Sequence, residues 1–509
     1  MNLFEPLKYL PLAKFLLHVS VLTRYGWFRD EFYYLACADH LAWGYVDHPP
    51  LSIAILRLWS AIMGDSLAAV RLAPALAGAA VVFVTGCVAR ELGAGTFGQA
   101  LAMLAIIVAP AYLAINHFYS MNSFDALFWT IAGLMFVKMI RVSSSGSASP
   151  GSRERAYALL GAVVGLGLLN KLSMLWLAAG LLVAILASPL RRDLRTRAPW
   201  IGAAVAGLLF APHVLWQVTH GWPTVEFMRN AAGTKMKTLM PLAFVQAQVL
   251  LMHPLVAVLA ATGLAWLLFG RGRPFRPLAL AVLVVIVILT INRTSRPEYL
   301  AAAYPLLVAP GAMFLEQIVR WRAARAAMVA GLVIAGMATA PLAMPLLDVD
   351  RYIAYANALG IKPGTSERKA LGDLPQHFAD MHGWDEIVAA VARVASTLSA
   401  DERREAIVFT QNYGEAGAID RLGRIHGLPP AVSGHNNYFL WGLRGRSAST
   451  AILVGGERED YFDAFREVTQ AAVIECGRCM PYENGQAIFI GRQPHRPVAE
   501  VFPDAKHYD

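Results

Sequence analysis

The chain has 509 residues, of which 57% are hydrophobic and only 16% are Asp, Glu, Lys or Arg, and its formal charge is +9. A soluble domain carries about 25% charged residues. Here the apolar excess is gathered into long runs, which excludes a single soluble core. Four cysteines exclude a disulfide-built scaffold, and the positive charge lies in short loops between apolar runs, which points to a membrane surface and not to nucleic acid.

A helix needs roughly 20 residues to cross about 30 Å of hydrocarbon. Residues 5–23 read as a retained first span, short and marked by Lys8, Lys14 and His18. Residues 24–66 form a long aromatic loop. Within it, the apolar run 51–63 carries Arg57 between Pro50 and Gly64, which predicts an amphipathic helix lying along the interface. Further spans are expected over 67–89, 94–114, 124–140, 157–169, 172–189, 199–219, 243–269, 277–292, 299–319 and 326–347. The segment 143–152, SSSGSASPGS, reads as a flexible loop.

Short cytoplasmic loops retain Lys and Arg, and four loops here are basic, beginning at Arg141, Arg191, Arg271 and Arg320. Eleven spans with a cytoplasmic N-terminus put all four inside. The loop 24–66 and everything after about residue 348 then lie outside. From 348 onward charges become frequent, β-like runs occur at 406–409, 451–454 and 487–490, and helical patterns at 384–398 and 462–475. The expected architecture is mainly α, with a membrane unit of about eleven helices over 1–347. A small extracytoplasmic α/β domain follows over 348–509.

Candidate chemistry collects at the outer ends of the spans. The first loop holds Asp30 and Glu31, then Asp47 and His48 before Pro49-Pro50. Adjacent carboxylates where solvation is limited can supply a general base and its electrostatic partner. The bland alternative is an aromatic belt with water-facing acids. The second loop holds His117 and Asp125, and a charge beginning a span is expected to face the bundle. Lys171 sits between two thin spans, and Arg293, Arg296 and Tyr299 flank a further junction. A lipid phosphate is one partner for Lys171, and a bundle carboxylate or snorkelling is the other. No G-x-x-x-x-G-K-[ST] or H-E-x-x-H motif is present, so nothing supports nucleotide hydrolysis or a zincin protease. A membrane transporter or lipid-linked sugar flippase is the competing class. It accounts less well for a paired Asp-Glu in a long outer loop and a sizeable outer cap.

The stretches YGWFRDEFYYLACADHLAWGYVDHPPL (25–51), LLNKLSMLW (168–176), RPEYLAAAYPLL (296–307), QNYGEAGAIDRLG (411–423) and SGHNNYFLWG (433–442) resemble the bacterial dolichyl-phosphate-mannose-protein mannosyltransferase-like family. That family has the GT-C architecture and is related to glycosyltransferase family 39 and the aminoarabinose transferases. The resemblance implies a bacterial plasma-membrane enzyme moving a sugar from a polyprenyl-phosphate donor to a lipid, glycan or protein acceptor on the outer face, by inverting displacement. It implies Asp30 as base with Glu31 beside it and Asp125 as the second acidic position. It further implies Lys171 and Arg296 at the donor phosphate, with Arg293 secondary, and Asp47, His48, His117 and Tyr299 around the substrates. Arg296 and Glu298 depart from the Lys and Tyr often found there in relatives, which puts that phosphate contact in question. No cofactor is assigned with certainty, no residue is assigned to a metal, and a divalent cation is left open. The pair Cys476 and Cys479 is expected to form a local disulfide in an oxidising compartment.

Overall fold

Apolar helices dominate the first two thirds of the chain. The computed structural model describes residues 5–145 and 149–509. The first helices are α1 (Pro6–Val19), α2 (Arg29–Asp39), α3 (Leu51–Met63) and α4 (Leu67–Glu91). On α1, Leu10, Lys14 and His18 recur every four residues and are buried together. The Lys14 ammonium donates to the Tyr112 carbonyl at 3.1 Å. Its polar stripe therefore faces the bundle, because a charge facing lipid is expensive.

Five helices are long and apolar enough to cross a membrane: Leu67–Glu91, Met121–Ser143, Ala198–Thr219, Arg273–Ile291 and Arg322–Leu342. Three bent pairs raise the number to as many as eight. The chain is thus a polytopic membrane protein with fewer straight spans than eleven. The reason is proline. The run 243–269 splits into Pro241–Met252 and Pro254–Phe269, bent by 116°. Pro254 disfavours a helical residue before it, and His253 sits at φ 78°. The run 299–319 bends by 57° between Pro297–Ala303 and Pro305–Ile318, and 94–114 divides at Ala109 before Pro110. In the stretch 143–152, Ser143 to Ser145 close one helix and Pro150 opens the next, whereas 146–148 lie outside the described residues.

The helices Leu67–Glu91 and Met121–Ser145 run side by side for 25 residues each, about 37 Å at 1.5 Å per residue. Near their C-terminal ends Arg141 pairs with Glu91 at 3.0 Å. Their N-terminal ends carry Arg71 and Asp125 beside the 24–66 loop, so the basic end and the acidic loop are about a bilayer apart.

The C-terminal region contains a five-stranded sheet of β1 (Ile407–Thr410), β2 (Ala431–Ser433), β3 (Thr450–Val454), β4 (Phe465–Val473) and β5 (Ala487–Pro494). The order is β2-β1-β3-β5-β4, parallel among the first three and antiparallel thereafter. The helix expected over 462–475 is instead the edge strand β4. Phe465 and Val468 are buried three residues apart, which imitates a helical period, but pairing with β5 across a register shift at Gln470–Ala472 decides the outcome. Cys476 and Cys479 form a disulfide.

One hydrophobic core joins the 24–66 loop to this sheet. It includes Phe32, Tyr33, Leu35 and Ile53 from α2 and α3 together with Trp384, Val391, Ile419, Ile452 and Ile488. The close approach depends on the helix Tyr413–Leu422. A Cβ on Gly417 would stand 2.6 Å from Phe32 Cβ, and one on Gly414 would strike the Arg29 side chain. Those two glycines lie on one face and let α2 seat its first turns directly on the helix.

Candidate active site

Neighbouring residues on a helix project about 100° apart, and the first turn of α2 sorts its two carboxylates accordingly. Glu31 turns inward and is fully buried. One oxygen accepts from Phe28 N (2.8 Å) and Arg71 Nη2 (2.9 Å), and the other from Tyr119 N (2.9 Å) and Arg71 Nε (3.0 Å). Arg71, itself fully buried, also donates to the carbonyls of Leu22, Arg24 and Gly26. Glu31 and Arg71 therefore fasten the loop to α4, and no acceptor capacity remains free on Glu31.

Asp30 turns the other way and keeps 31% of its side-chain surface exposed. Its Oδ1 accepts from the Tyr413 hydroxyl at 2.9 Å and lies 3.6 Å from Arg29 Nε. Its position in the first turn also suits a carboxylate electrostatically. The Tyr413 ring stacks on Tyr33 with centroids 4.6 Å apart, and the Tyr33 hydroxyl donates to Asp47 Oδ1 at 2.8 Å. Asp30 and Asp47 are thus linked through two stacked phenols. His48 is buried, stacked on Tyr34, with Nδ1 3.0 Å from the Pro49 carbonyl. His117 is buried behind the loop, its Nε2 3.4 Å from Arg71 Nη1.

The other expected residues form a second group. Asp125 accepts from Ser173 Oγ at 2.7 Å and lies 3.8 Å from Lys171 Nζ. Lys171 donates to Asn122 Oδ1 at 2.7 Å and sits over the Tyr299 ring at 4.9 Å. Arg296 pairs with Glu367 at 2.5 Å and more loosely with Glu298 at 3.9 Å. Arg293 is exposed, and its backbone carbonyl accepts from Leu239 N. Arg296 is therefore closely matched by a carboxylate, and Lys171 is held by Asn122 with Asp125 farther off.

A cavity of about 130 Å³ opens beside Tyr413, lined by Arg29, Lys235, Arg368 and Lys369 among others. Among the described residues, Lys235, Arg368 and Lys369 make no ion pair. Arg29 has only distant ones, 3.6 Å to Asp30 and 3.7 Å to Asp380. The field is strongly positive. Burial opposes ionisation of Glu367, yet Lys235, Arg29, Arg296 and Lys369 hold its carboxyl down to about 2. Burial lowers Lys235 and Lys369 from the usual ammonium range. It also pushes Asp380 up to about 6 and Glu415 up to about 7, behind Arg29.

Sequence reasoning passed over these four cations. Arg29 directly precedes the Asp-Glu pair, and Lys235 lies between the spans expected over 199–219 and 243–269; those were the available signals. Near the same wall, His435, His507 and Asp509 bring one ligand atom each within 4.8 Å of one another, a group that can coordinate a metal ion.

Residues 47–216 match the family described as dolichyl-phosphate-mannose-protein mannosyltransferase. No curated protein matches the chain in sequence. The fold is similar to that of ArnT from Cupriavidus metallidurans in a crystal structure bound to undecaprenyl phosphate. The TM-score is 0.62 at 16% identity, covering 95% of this chain and 97% of that one. It is also similar to the Archaeoglobus fulgidus oligosaccharyltransferase tethered to an acceptor peptide, with TM-score 0.52 at 10% identity, covering 83% of this chain and 64% of that one. The arabinofuranosyltransferase AftD from Mycobacteria gives TM-score 0.53 at 16% identity, with 96% and 40% covered.

Proposed function

We propose that this chain is a membrane glycosyltransferase of GT-C type that transfers a sugar from a polyprenyl-phosphate donor to an acceptor on the non-cytoplasmic face. The observation that carries this reading is a part-exposed carboxylate, Asp30, held by Tyr413 at the wall of a cavity lined by Arg29, Lys235, Arg368 and Lys369. A fold shared with an ArnT bound to undecaprenyl phosphate supports the donor class.

Asp30 takes the proton of the acceptor hydroxyl through its less engaged oxygen, and Tyr413 holds the other. The acceptor oxygen forms a bond to the anomeric carbon as that carbon's bond to the phosphate oxygen breaks. The electron pair leaves with the lipid phosphate, and the configuration inverts. A leaving phosphate needs positive charge more than it needs an acid, and Arg29, Lys235, Arg368 and Lys369 supply it. Glu31 acts in this scheme as a positioning residue through Arg71. Lys171 with Asp125, and Arg296 with Glu367, form the neighbouring wall, where Tyr299 contributes an aromatic face. Asp47 steadies the phenol stack, and His48 and His117 support the loop from behind. Arg293 has no part.

The domain division near residue 348, eleven crossings counting short and bent helices, and the outward orientation belong to the same proposal. They are supported by the separation of the Arg141 end from the Asp30 loop. Purified protein given polyprenyl-phosphate sugars without any gradient should release polyprenyl phosphate as sugar appears on the acceptor. Movement of intact lipid-linked sugar across vesicles, with no transfer, would overturn the reading in favour of a flippase. Mass spectrometry of envelope lipids and glycans with and without the gene identifies the sugar and acceptor together.

A further inference from the structure

The segment after β5 returns to the sheet and pairs His507 with His435 in an isolated parallel bridge. His507 N donates to the Gly434 carbonyl at 2.9 Å and Asn436 N to the His507 carbonyl at 3.1 Å. This register stacks the two imidazoles with centroids 4.7 Å apart. The Asp509 carboxylate then falls 3.4 Å from His435 Nε2. His507 places Nδ1 3.0 Å from the Ala505 carbonyl and Nε2 3.1 Å from the Gln411 carbonyl. A cation at this point takes the place of one of those carbonyl contacts.

We propose that His435, His507 and Asp509 form a binding site for a divalent transition cation of the zinc class. Two imidazoles and one carboxylate suit such an ion better than Mg²⁺ or Ca²⁺, which prefer all-oxygen shells. His435 Nδ1 faces the Tyr413 N–H at 3.4 Å. Coordination through Nε2 moves the ring proton to Nδ1, giving up that long contact and replacing the 2.9 Å contact of Nε2 with the Asp509 main-chain oxygen. It thereby couples the ion to Tyr413, the residue that holds Asp30. His435 and Asp509 also line the basic cavity, so the remaining coordination positions face it. Lys235 and Arg29 oppose a bare cation there, and an anion in the cavity offsets them.

The site stands on its own geometry and its test does not depend on sugar transfer. The full-length protein in detergent is stripped with chelator and titrated with Co²⁺, following the visible ligand-field bands, and the cobalt is then displaced with Zn²⁺. The expected result is one equivalent per chain. His507→Gln and Asp509→Asn each weaken affinity by more than the about 10–100-fold lost with outer-shell partners. Gln at 507 keeps hydrogen-bonding capacity, and circular dichroism verifies that both variants are folded. Stripped wild type that takes up no cobalt would overturn the proposal. So would metal binding that survives both substitutions, or that is abolished instead by Asp47→Asn.

Discussion

Replacing Glu31 by Gln separates an anchoring carboxylate from a reacting one. Each Glu31 oxygen accepts one backbone N–H and one Arg71 N–H. Glutamine offers one acceptor oxygen, so in either orientation two donors meet an amide NH₂ instead. Arg71, with no exposed side chain, also loses the carboxylate it pairs with, the only one among the described residues. Breaking a buried ion pair from one side costs about 3–5 kcal/mol, a large share of the roughly 5–15 kcal/mol that a folded domain commands. Melting in one detergent should therefore fall by several degrees for Glu31→Gln and for Arg71→Met. The double variant should lose less than the sum, the signature of residues in direct contact. Single-turnover transfer, measured at a temperature where the variant is folded, should stay within about tenfold of wild type, because the general-base contribution of roughly 10²–10⁴ is assigned elsewhere. Unchanged melting with a hundredfold loss of transfer would refute this reasoning and return Glu31 to the chemistry.

Lys235→Ala and Lys369→Ala should each weaken donor binding about tenfold or more, since one charge at 4 Å contributes up to about 4 kcal/mol near a protein surface. Lys171→Ala should change it less, because that ammonium does not line the cavity and is engaged by Asn122; donor titration with both sets of variants decides. Asp380 and Glu415 are raised by burial to about 6 and about 7. Their protonated forms stabilise the fold below about pH 4, and that contribution disappears as pH rises through 6 to 7, on the order of a few kcal/mol. Asp380→Asn should flatten the pH dependence of melting across that window. Glu367, depressed to about 2, contributes above about pH 4 and loses its effect only as pH falls toward 2. A cysteine at exposed Leu359 should react with an impermeant reagent in intact cells, and one at exposed Ser152 should not; labelling at 152 would invert the topology.

The paired acids of the 24–66 loop were legible because Asp30 and Glu31 stand beside an aromatic run. Their different fates were not. The partner that claims Glu31 is Arg71, forty residues away within an apolar helix, and the partner of Asp30 is Tyr413, which the chain brings back only through the α/β domain. The same distance in sequence hid the cavity, whose cations come from residues 29, 235, 368 and 369. Lys171 was conspicuous as a charge between thin spans, but its hydrogen bond to Asn122 and its approach to Asp125 depend on how the helices pack. Strands β1, β3 and β5 announced themselves as β-branched runs. β4 did not, because an edge strand with one wet face can mimic a three-residue period. Pro254 and Pro305 were visible throughout. What they bend depends on whether neighbouring helices tolerate a kinked crossing.

The central claim is that Asp30 takes the acceptor proton, and Asp30→Asn tests it most directly. Asparagine keeps the size of the side chain and can still accept from Tyr413, but it cannot take up a proton near neutral pH. Donor affinity and single-turnover transfer are measured in the same detergent preparation. Transfer should fall by roughly 10²–10⁴-fold while donor affinity and melting stay close to wild type. Transfer at near wild-type rate in Asp30→Asn would contradict the account.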